Sequence, residues 1–127
     1  MEKPIDLKGL SSKLIDKTVT LIRQRSEDVA EKPYLIYHSF AHVHTPLATD
    51  ERYEGVSRHG SYGDVVAEMD AGVGRILDAI KDSGQEEDTL VYLTSDHGGD
   101  YPQLGHLVNK IAALFQLQYS FSSISFS

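Results

Sequence analysis

Six histidines and nineteen acidic side chains carry the candidate chemistry of this 127-residue sequence, which contains no cysteine. Disulfides, thiolate metal sites and cysteine nucleophiles are therefore excluded within it. Asp96 and His97 set a carboxylate oxygen beside an imidazole nitrogen, a pair able to ligate one metal ion, and Gly98 and Gly99 let the backbone turn sharply behind them. Asp-His-Gly-Gly is also an ordinary way for a strand to turn, so its surroundings must decide. His42 and His44 are one residue apart; in an extended chain they point the same way and offer donors to an anionic oxygen or ligands to a metal. His44 precedes Thr45-Pro46 and is the better placed of the two, at a turn, whereas His42 reads as a packed or surface histidine and His38 as structural.

Other polar groups have simpler readings. Arg58 and His59 stand before a predicted helix N-terminus, where an anion is favoured, but solvated loop charge accounts for them as well. Asp64, Glu68 and Asp70 imitate a paired-carboxylate site; the first two fall in the opening turns of that helix, where acids suit its dipole. His106 and Lys110 would share a face if residues 104 to 114 were helical, and otherwise read as exposed.

The elements that must position these groups follow from the apolar pattern. Leu10, Leu14, Leu21 and Ile22 predict a helix from about residue 10 to 25. After Pro33, residues 34 to 40 (Tyr-Leu-Ile-Tyr-His-Ser-Phe) predict a buried strand, and residues 41 to 60 a long loop. Ser61 and Asp64 resemble a capping box, and Val65, Met69, Val73, Ile76, Leu77 and Ile80 predict a helix ending near Lys81, with Gly84 at its exit. Residues 89 to 94 predict a second strand. A crossover containing a helix favours parallel strands, which brings His42, His44, Asp96 and His97 to one sheet edge, where open α/β sheets bind ligands.

Length allows one domain at most. Twelve basic against nineteen acidic residues give a net charge of −7, which argues against a nucleic-acid partner. No run reaches the roughly 18 apolar residues of a membrane helix, and the start lacks a signal peptide's apolar stretch. All nineteen acids lie at or before Asp100, and beyond it the only basic residue is Lys110. The tail alternates from Phe115 to Phe121 and ends Ser-rich, a pattern that means a strand, if anything.

Residues 33 to 46, then Arg58-His59-Gly60, Tyr62-Gly63-Asp64, Glu68-Met69-Asp70 and the stretch 89 to 99 together resemble the middle of an arylsulfatase, in particular the steryl-sulfatase and arylsulfatase D, E and F group. The likeness covers about residues 2 to 99. Ser-Asp-His-Gly is shared across the alkaline-phosphatase-like superfamily, including phosphodiesterases; His-x-His-Thr-Pro followed by Tyr-Gly-Asp and Glu-Met-Asp points more narrowly to sulfatases. The resemblance implies an α/β sheet between helices, sulfuric ester hydrolysis, and a calcium ion at the strand ends. It makes Asp96 and His97 metal ligands. It makes His44 the histidine that contacts the sulfate ester and helps protonate its leaving group. It also implies the secretory pathway, lysosome or endoplasmic reticulum as location.

The sequence departs from that family in three respects. The nucleophile there is a formylglycine made from Cys in Cys-x-Pro-Ser-Arg, and neither this motif nor its serine version occurs here. The N-terminal Asp pair that completes the metal site is absent, and after Gly99 no Gly- and Lys-rich stretch follows. The expectation is a partial sulfatase domain over residues 1 to 100, internal to a longer design, with a divergent tail over 101 to 127 that forms no domain. Such a chain should be inactive alone. The alternatives are part of a metal-dependent phosphodiesterase of the same superfamily, or a noncatalytic binding or structural remnant.

Overall fold

The computed structural model describes residues 6–27 and 32–95. The chain divides into two units, residues 1–90 and 91–127, and both helices belong to the first. Helix α1 runs Leu10–Ser26 and helix α2 Gly60–Asp82, both as the apolar spacing predicts. Between them, residues 32–40 carry no regular secondary structure and residues 41–59 form the long loop, interrupted by one 3-10 turn at Glu51–Tyr53.

Helix α1 buries Ser11, Ile15, Thr18, Val19 and Ile22, a stripe at spacings of three and four. Of the residues that first suggested this helix, only Ile22 belongs to the stripe; Leu14 and Leu21 flank it and remain exposed. What selects the stripe is the partner surface. Gly72 of α2 has no side chain, so Ile15 packs onto the bare helix backbone, and a Cβ at that position would lie 3.2 Å from Ile15 Cγ1 and closer still to its Cδ1. Ala79 and Ile80 complete the α2 side of the core, with Ile36, Phe40 and Ile76 packed around it.

Helix α2 begins one residue before the predicted Ser61. The capping box does not form: His59 stands at the N-cap without a side-chain bond, and Asp64 turns to the loop. The helix ends as expected, with Lys81 in the last turn and Gly84 at φ +71°, where the Gln85 amide donates to the Ile80 carbonyl and the Gly84 amide to Lys81.

Neither predicted strand forms a ladder among the described residues. Residues 34–40 keep the period of a strand, Ile36, His38 and Phe40 facing the helices while Leu35 and Tyr37 are 93% and 89% exposed. Alternation is a local property; a β ladder needs a neighbouring strand, and the described residues supply none. In the second predicted strand, Leu90, Val91, Tyr92 and Leu93 are likewise exposed. The tail over residues 101 to 127 lies outside the described residues.

Candidate functional site

The segment that follows residues 32–40 carries His42 and His44, and the structure gives them different environments. The His42 side chain is 7% exposed, with Nε2 at 3.2 Å from Glu68 Oε2 of α2, which is itself 3% exposed. The approach is that of an ion pair when the imidazole is protonated, without the alignment of a hydrogen bond. His42 is thus a packed histidine with a buried carboxylate partner.

His44 is exposed, and its Nδ1 lies 2.6 Å from the carbonyl oxygen of Thr45. A carbonyl only accepts, so Nδ1 donates and carries a proton in either charge state of the ring. Nε2 is left to meet a ligand, as acceptor when the ring is neutral and as donor when it is charged. His44 also lines a cleft of about 240 Å³ whose walls are Leu7, Leu10, Ala41, Pro46 and Ala48, with His42 and Thr45. Apolar walls around an imidazole suit an ester with an apolar alcohol portion. A second hollow, about 390 Å³, lies at the far end of α1 against Leu21, Gln24, Arg25 and Glu27 and gathers no set of catalytic groups.

Two acids expected merely to suit the helix dipole do something more specific. Glu68 Oε2 accepts from the Asp50 amide at 3.0 Å, and Asp64 accepts from the amides of Gly55 at 3.0 Å and Ser57 at 2.8 Å. Both carboxylates are buried, so helix α2 holds the long loop through charge-assisted bonds. Their sequence signal was the i, i+4 spacing on the apolar side of α2, next to Val65, where a solvated acid would be out of place. Asp70, by contrast, is exposed.

The loop is tied to α1 as well. Arg52 bonds both Asp50 oxygens, at 2.9 and 3.0 Å, and reaches Ser12 Oγ at 3.0 Å. These bonds hold the Asp50 carboxyl well below the usual carboxylate range, at about 2. Lys8 pairs with Glu54 at 2.6 Å, which raises the Lys8 ammonium above its ordinary value. His38 bonds Thr18 at 2.7 Å and meets the Phe40 ring edge-on; burial lowers its proton affinity, in keeping with a structural histidine. Arg58 and His59 are exposed.

Asp96, His97, His106 and Lys110 lie outside the described residues. Among the described residues no group of three or more His, Asp or Glu side chains is placed to hold a metal ion. No described helix is long and apolar enough to cross a membrane.

Comparison with known proteins gives one consistent answer. The sulfatase family profile matches residues 4–116, running past Gly99. The chain is 43% identical to mouse steryl-sulfatase over 104 residues, 82% of this chain and 16% of that protein. Human arylsulfatase D is 41% identical over 98 residues, 77% of the chain and 16% of the relative. Human arylsulfatase H is 39% identical over 99 residues, 78% and 17% respectively. The chain thus spans about one sixth of the length of these relatives. No solved structure gives a significant match. The family's domain is an alkaline-phosphatase-like α/β fold, to which the two helices and the segment between them seen here contribute. On the profile match and these identities, the chain belongs to the sulfatase family.

Proposed function

We propose that this chain supplies the leaving-group side of a site for sulfuric ester hydrolysis, with His44 as the group that meets the ester. The observation that carries the reading is the 2.6 Å bond from His44 Nδ1 to the Thr45 carbonyl, which leaves Nε2 as the reactive nitrogen at the lip of an apolar cleft. In its charged form Nε2–H donates to the bridging oxygen of the ester and would pass its proton to that oxygen as the sulfur–oxygen bond breaks and the sulfur bonds to a nucleophile that these residues do not supply. The Thr45 carbonyl keeps the other ring proton and the ring orientation throughout.

Calcium, which sulfatases generally use, would be held by Asp96 and His97 and would neutralise the ester oxygens. Two ligands fall short of the six to eight oxygens that calcium takes, so these residues alone bind it weakly. A formylglycine nucleophile has no cysteine precursor in this chain. The chain by itself therefore binds and does not turn over. Relatives that are sulfatases support a sulfate ester over a phosphodiester as the ligand.

The test uses 4-nitrophenyl sulfate and the purified chain. Nitrophenol release should not exceed buffer, with or without calcium, while the ester shifts the ¹⁵N resonance of His44 Nε2. An unshifted His44 resonance would overturn the binding role. Turnover abolished by His44→Ala would overturn the claim of inactivity and retain the residue.

A further inference from the structure

His44 sits in an exposed stretch whose two ends are not exposed. Upstream, His42 packs against Glu68 at 3.2 Å; downstream, the Asp50 amide donates to Glu68 at 3.0 Å. One carboxylate oxygen, Oε2, faces both. The other, Oε1, is buried without a hydrogen-bond partner among the described residues, and the Arg52 guanidinium adds a longer-range attraction. Placing a carboxyl group at 3% exposure is costly unless its polar atoms meet partners, and both partners of Oε2 lie at the ends of residues 42–50.

We propose that Glu68 is a positioning residue for His44: by holding His42 and Asp50 on a single oxygen, it closes residues 42–50 into a loop pinned at both ends to α2. This rests on the reading of His44 as the ester-contacting histidine. Pinning both ends of a short segment restricts the backbone between them, and His44 depends on that restriction because, among the described residues, its ring bonds its own neighbour, Thr45, alone. Asp64 holds a different part of the loop, Gly55 and Ser57, and serves as the internal contrast. Glu68 touches no ligand in this arrangement. It acts through the backbone.

The experiment compares Glu68→Ala, Glu68→Gln and Asp64→Asn in the full chain, reading amide exchange and the ¹⁵N tautomer signature of the His44 ring. In Glu68→Ala the Asp50 amide should exchange roughly tenfold faster, the loss of about one charge-assisted bond. The His44 ring should pass from a single Nδ1–H signature to a tautomer mixture, while amides within residues 10–26 and 70–82 keep their protection. Glu68→Gln retains an acceptor for the Asp50 amide and should restore its protection with part of the His44 signature. Asp64→Asn should speed exchange at Gly55 and Ser57 and leave His44 as it was. A folded Glu68→Ala with an unchanged His44 signature overturns the proposal; should that variant not fold, a Glu68→Gln ring identical to the parent's overturns it equally. None of these readouts requires a sulfate ester, so an ester that fails to shift His44 defeats the functional reading and leaves the positioning role standing.

Discussion

At the scale of residues, two titrating groups lose their contribution to stability in separate acid windows. Burial lowers the His38 proton affinity, so the unfolded chain binds a proton more readily than the folded one. The stability that neutral His38 contributes is present at neutral pH and declines as pH falls through histidine's ordinary value of about 6.5. Asp50 has the same sign in a lower window: its carboxyl, held at about 2 by Arg52, stabilises the fold above the ordinary carboxylate value, and that contribution is lost as pH falls from about 4 toward 2. Urea midpoints measured at pH 7, 5 and 3 should show both steps. His38→Gln, which keeps a partner for Thr18 and does not titrate, should flatten the upper step alone; an unchanged pH profile in that variant would contradict the assignment.

Helices were legible because their signal is local and repeated; which face they bury was not. Leu14 and Leu21 have the right chemistry for a core, yet Ile15 and Val19 occupy it, because Gly72 opens a contact on α2 that only the partner helix reveals. Ile15→Ala should therefore destabilise by about 2–5 kcal/mol. Leu14→Ala should stay within about 0.5 kcal/mol, and denaturant titration separates the two. The candidate site divides in the same manner. His-x-His-Thr-Pro singles out His44 as a candidate, and the structure places it exposed at a cleft; Glu68 and Asp64 were read as dipole partners, since nothing in their spacing specifies the amides of Asp50, Gly55 and Ser57 as the donors they accept from. Alternation over residues 34–40 reappears in the structure as alternating burial, but pairing is a property of two segments, and alternation describes one.

Taken whole, the first unit is two helices and a segment, residues 34–40, whose helix-facing side is covered and whose opposite side is bare. Leu35 and Tyr37 present adjacent apolar positions on that bare side, next to backbone that no described strand pairs. Such an edge recruits other edges. The paired substitution Leu35→Lys and Tyr37→Glu should lower self-association in sedimentation velocity without changing helical circular dichroism, because neither side chain contributes to the α1 and α2 core. Loss of helicity in that variant would show that the bare side is packed.

Helix α2 spends its length on two neighbours, and its glycines translate this into a constraint on which sequences are permitted. A Cβ at Gly63 would lie 2.7 Å from Ser57 Cβ, displacing the residue whose amide Asp64 holds, and one at Gly72 would crowd Ile15; at Gly74 it would meet nothing within 4 Å. The same substitution thus carries opposite signs at positions two residues apart. Gly74→Ala should stabilise by about 1 kcal/mol through helix propensity, while Gly72→Ala should destabilise by about 1–3 kcal/mol through overpacking. In a library randomised across the 23 residues of α2 and selected for folded chains, position 74 should drift to alanine, and positions 63 and 72 should return glycine. An alphabet reduced to one letter on each of two faces is the record that a helix with two interfaces leaves in its own sequence.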